Sequence, residues 1–113
     1  MSKSIKRSLK SGQVGLRTII FSFDAGTDTV SGFDQYGIKS VTDVATGQHT
    51  FIFERPFERA CLLAGHSVDV DNSTLAVVAT AYDRITVQTQ TGGVDADISY
   101  TLMVVGSDDR MDR

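Results

Sequence analysis

The chain has 113 residues, 41% hydrophobic and 22% charged, with a formal net charge of -3, one Cys, one Pro and no Trp. Such a composition describes one folded domain, too apolar for a disordered tail and too small for a core plus a deep private cavity. The net charge gives no support to a nucleic-acid binder, a lone cysteine excludes an intrachain disulfide, and no apolar run approaches the ~20 residues of a membrane span.

Residues 1–12 are rich in Ser and Lys and form a basic arm. Lys3, Lys6, Arg7 and Lys10 all precede the first acid, Asp24, and the stretch Asp24 to Asp34 then holds three acids and no base. Cations on an acidic body suit docking onto an acidic neighbour, with Arg17 as a further contact; the plainer alternative is a solvated terminus. A short helix over Ile5 to Leu9 is the only regular element that the arm suggests. The polar run from Ser8 to Gly15 leaves no apolar segment for a secretory signal.

Residues 13–106 read as the β domain. Val14 to Phe23 is the first predicted strand, ended by the turn chemistry of Asp24-Ala25-Gly26-Thr27-Asp28. Gly32 to Gly37 reads as a loop carrying Phe33 and Tyr36. Lys39 to Val44 alternates polar and apolar, Ala45-Thr46-Gly47 turns, and His49 to Glu54 returns with Phe51 and Phe53 on one face and Thr50 and Ile52 on the other. Pro56 stops that strand because it cannot donate to a ladder. Arg59 to Gly65 reads as a buried strand, and Cys61 within it as a small core hydrophobe in a protein assembled in a reducing cytoplasm.

Asp69-Val70-Asp71-Asn72-Ser73 is a turn cluster, Leu75 to Tyr82 and Arg84 to Gln90 a strand pair, Thr91-Gly92-Gly93 a turn, and Ile98 to Val105 the last strand. Residues 107–113 form a charged tail. About seven strands with turns every 8–12 residues predict an all-β antiparallel sandwich or jelly-roll-like fold. Phe51, Phe53, Leu62, Leu63, Val77, Val87, Leu102 and Val104 are the expected core.

The stretch Val41-Thr42-Asp43-Val44-Ala45-Thr46-Gly47-Gln48-His49-Thr50-Phe51-Ile52-Phe53-Glu54-Arg55-Pro56-Phe57 resembles a segment of tailed-bacteriophage virion proteins, in which a strand leads through Thr-Gly to an alternating strand that ends in Pro-Phe. Asp97-Ile98-Ser99-Tyr100-Thr101-Leu102-Met103-Val104-Val105-Gly106 is similar to the closing strand of the same module. The resemblance spans residues 38–106. It implies a trimeric building block of the virion, made in the host cytoplasm. With its own initiator Met and no repetitive shaft, the chain fits a capsid decoration (cement) subunit on the head, partnered by itself and by the major capsid protein or another virion protein. The alternative is a receptor-binding tail-fibre or lectin-like module for a host glycan, with Phe33 and Tyr36 as loop contacts.

Catalytic chemistry finds little to work with. His49 and His66 are the only histidines; His49 reads as a surface or subunit contact, and neither lies in a nucleophile-elbow signature. Asp69, Asp71, Asn72, Asp95 and Asp97 are hard oxygen donors of the calcium type, yet the first group lacks the Gly and terminal Glu of a helix-loop-helix calcium loop. No phosphate cradle appears. The expectation is a non-enzyme with no cofactor, no metal and no nucleic-acid or membrane partner.

Overall fold

Period-two alternation governs where each strand puts its side chains. In Ile19-Ile20-Phe21-Ser22-Phe23 the odd positions are buried and the even ones half-buried; in Tyr100 to Val104 the even positions are buried and Met103 is exposed. In the computed structural model, which describes residues 15–31 and 37–107, nine such strands form two antiparallel sheets packed face to face. They are β1 (Leu16–Asp24), β2 (Thr29–Ser31), β3 (Ile38–Ala45), β4 (Gln48–Phe53), β5 (Leu62–Val68), β6 (Ser73–Ala81), β7 (Arg84–Thr91), β8 (Val94–Asp95) and β9 (Tyr100–Ser107). The four-stranded sheet runs β2-β1-β9-β5; the five-stranded sheet runs β3-β4-β7-β6, with β8 beside β7.

The expected sandwich is therefore the observed class, with nine strands in place of about seven. The short β2 and β8 are additions with too few residues to show a period. The turns fall where Gly, Asp and Asn permit left-handed backbone: Asp28 (φ 53), Gly47 (φ 75), Asn72 (φ 60), Gly92 (φ 61) and Gly93 (φ 84).

Four central strands build the core. From β1 and β9 come Ile19, Phe21, Phe23, Tyr100, Leu102 and Val104; from β4 and β7 come Phe51, Phe53, Ile85 and Val87. Phe21 meets Phe51 at 4.8 Å between ring centroids, and Phe23 and Tyr100 surround the same ring at 5.4 and 6.2 Å. Tilted and edge-on rings of this kind add about 0.5–1.5 kcal/mol per pair beyond their burial. Phe57, in the crossover from β4 to β5, plugs one end: it stacks edge-on against Phe53 and lies on the Cα of Gly106, where any Cβ would run into its ring.

Several expectations need correction. Arg59 to Gly65 is not a buried strand; β5 starts at Leu62 and is an edge strand. Leu62 points out of the sandwich and is 70% exposed, while Leu63 packs half-buried against the core. Val77 faces inward opposite Val87 but sits on the edge strand β6 and stays 40% exposed. His49 is not at the surface: it shares the inner face of β4 with Phe51 and is 1% exposed. Cys61 is buried as expected, and burial pushes its thiol up to about 11. Ser107 belongs to β9 and not to a tail. Among the described residues no helix is long and apolar enough to cross a membrane.

Candidate functional site

The outer face of the four-stranded sheet follows from the register. Pairing of β1 with β9 and of β9 with β5 aligns Ser22, Thr101 and Ser67 in one row, Ile20, Met103 and Gly65 in the next, then Thr18, Val105 and Leu62, and finally Leu16 with Ser107. None of these eleven residues is ionisable, and the next outward position of β1, Asp24, places one exposed carboxylate at the end of the face. Leu16 and Leu62 are about 70% exposed and Met103 is over a third exposed, so the middle of the face is apolar and rimmed by hydroxyls. Ser22 and Thr101 bond to each other at 2.8 Å, which spends part of that polar rim within the sheet. Because Gly65 has no side chain, a shallow depression of about 190 Å³ opens beside Met103, bordered by His66, Ser67 and Thr101.

The opposite outer face differs. There the Thr50 and Thr86 hydroxyls pair at 2.7 Å, Gln88 donates to the Thr46 carbonyl, Gln90 to Asp95, and Arg84 forks onto Asp83. Charged, amide and hydroxyl groups line that face, with Thr50 and Thr86 themselves buried. The sheet edges are blunted as well: β3, β5 and β6 each carry a register shift, and β2 has only three residues. Bulged and short edges resist strand addition.

A second cluster closes one end of the sandwich. Asp43 on β3 is the register partner of His49 on β4, and the β1–β2 turn brings Asp28 to the same imidazole. His49 Nε2 lies 3.8 Å from Asp28 Oδ1 and 3.8 Å from Asp43 Oδ1, beyond hydrogen-bond reach, and the three ligand-type atoms all fall within 4.8 Å of one another. Both carboxylates are about half exposed; the imidazole is fixed by its 4.5 Å contact with Phe23. Its Nδ1 is buried with no hydrogen-bond partner, as is the Tyr100 hydroxyl. Burial first, then the charges of Asp97 and Asp28, hold the Tyr100 phenol far above its ordinary ionisation range.

The residues singled out in sequence fare variously. Lys3, Lys6, Arg7 and Lys10 lie outside the described residues, as do Phe33 and Tyr36 and the suggested Ile5–Leu9 helix. Arg17 turns inward: its guanidinium stacks 4.3 Å over the Phe57 ring and donates to the carbonyls of Arg55 (2.7 Å) and Pro56 (3.1 Å). That cation clamps the crossover to β1 and is engaged within the chain. The strand that carries Arg17 pairs with β9 from Leu16 to Phe23. Asp69 and Asp71 are exposed in the β5–β6 turn, Asp95 accepts from Gln90, and Asp97 accepts the Gly47 amide at 2.6 Å. Among the described residues these four acids do not converge, whereas Asp28, Asp43 and His49 do. No family model, curated protein or solved structure matches the chain.

Proposed function

We propose that this chain is a non-enzymatic structural subunit of a tailed-phage virion, a capsid decoration protein that assembles as a homotrimer. The observation that carries the assembly reading is the outer face of β1, β9 and β5, apolar in its middle with a single carboxylate, Asp24, at one end, and the occupant we assign to it is a second copy of the chain. Interface centres are depleted of charge and enriched in Met and large apolar groups. A face whose middle holds no ionisable side chain meets its own copy there without like-charge repulsion, although the whole chain carries -3. Three such faces turned toward one axis cover their apolar middles, and the bulged edges direct contact to the face and away from strand addition.

The virion reading rests on the resemblance of residues 38–106 to phage modules. In it, subunits that bind only the assembled shell stabilise that shell by mass action, and trimerisation multiplies weak contacts into firm attachment.

The test is co-sedimentation of wild-type and Met103→Lys protein with phage heads that lack the subunit. Wild type is expected to pellet with heads and Met103→Lys to bind at least tenfold more weakly, because it places a charge at the centre of the face. Wild-type protein that ignores heads but binds host cells or glycans would replace this reading with the tail-fibre one.

A further inference from the structure

We propose that Asp28, Asp43 and His49 form a binding site for a divalent transition-metal ion of the zinc type. The site would staple the two sheets together at one end of the sandwich. The inference is independent of the virion reading.

Donor type selects the ion. Magnesium and calcium take shells of oxygen, whereas imidazole nitrogen with carboxylate oxygen suits zinc and its neighbours. Zinc at about 2.0–2.2 Å from its ligands holds them roughly 3.4 Å apart in a tetrahedral shell. Nε2 stands 3.8 Å from each carboxylate oxygen and all three donor atoms lie within 4.8 Å of one another, so closure draws the donors together by between a few tenths of an ångström and roughly 1.4 Å. The half-exposed aspartates supply that movement while the buried ring stays fixed. Three protein ligands leave a fourth position for water.

Electrostatics points the same way. No Lys or Arg pairs with Asp28 or Asp43 among the described residues, and the imidazole between them is 1% exposed with Nδ1 unpartnered. The nearby Tyr100 phenol is also buried and unpartnered. Two carboxylates and one buried imidazole converge on a single point, where all three can share one dication. The ligands arrive from both layers: Asp28 from the turn after β1 in one sheet, Asp43 and His49 from the β3–β4 hairpin in the other. An ion there joins contacts far apart in sequence, and its binding free energy becomes folding free energy.

The experiment is calorimetric and thermal-shift titration of chelator-treated full-length protein with zinc chloride, with magnesium and calcium chloride in parallel. One zinc per chain is expected, with a thermal midpoint that rises with zinc concentration and little response to the other two ions. Asp28→Asn and Asp43→Asn are the informative variants, because Asn keeps the side-chain size and tolerates the positive φ at position 28. Each is expected to lower zinc affinity at least about tenfold, with the metal-free midpoint near that of wild type. Wild type and both variants titrating identically would overturn the site, as would a wild-type midpoint unmoved by excess zinc. An equal response to calcium would overturn the assignment of the ion.

Discussion

The central strands β1, β4, β7 and β9 and the edge strands β5 and β6 draw on similar side chains and meet opposite fates. Ile19, Phe51, Val87 and Leu102 are fully buried, whereas the inward-facing Leu63 of β5 is only half-buried and the inward-facing Val77 of β6 is 40% exposed. A central strand has neighbours on both sides and the other sheet beneath it, so its inward face is sealed. An edge strand lacks one flank, and β5 and β6 also carry bulges that turn residues aside. Apolar content thus states what a strand can bury, while its place in the sheet decides whether it does.

The sharpest way to break that contrast is Phe51→Ala. Its ring touches Phe21, Phe23 and Tyr100 at the centre of the core. The loss should be about 3–5 kcal/mol, a large share of the roughly 5–15 kcal/mol that holds a domain folded. Denaturant titration checks it. Gly106→Ala should follow at about 1–3 kcal/mol, because the new methyl displaces the Phe57 ring from its seat between Phe53 and the Arg17 guanidinium.

Alkaline pH is a milder probe. Cys61 ionises near 9.0 in the unfolded chain and at about 11 when folded, so the folded state keeps a proton that the unfolded state has lost. Stability should fall as pH rises from about 9 to about 11, and Cys61→Ala should flatten part of that fall. The smallest effect is assigned to the edge: Leu62→Ala should change folding stability by no more than about 0.5 kcal/mol. A cost as large as that of Phe51→Ala would show that β5 is packed like a central strand.

Much of the fold was legible because alternation and turn residues are local. The β3–β4 hairpin, the β6–β7 pair and the closing strand all read directly from the sequence. Leu62 misled because it has the outward parity, beside the inward Leu63; Val77 misled because position within a sheet is a long-range property, its own parity being inward, opposite Val87. The end cluster was half legible. The alternation that joins Phe51 and Phe53 also places His49 on their face, which was signal enough to bury it. The approach of Asp28 was not legible, since it requires knowing that the β1–β2 turn of one sheet lies over the hairpin of the other. The apolar middle of the outer face was hidden for the same reason, as its rows draw on three strands distant in sequence.

Residues such as Leu62 and Met103, which cost the fold little, are the ones that assembly should need. Sedimentation equilibrium of wild-type and Met103→Lys protein tests this most directly. The account expects wild type at about 37 kDa, three chains of 12.2 kDa, and the variant shifted toward a single chain with its fold retained. A wild-type mass of 12.2 kDa independent of concentration would contradict it.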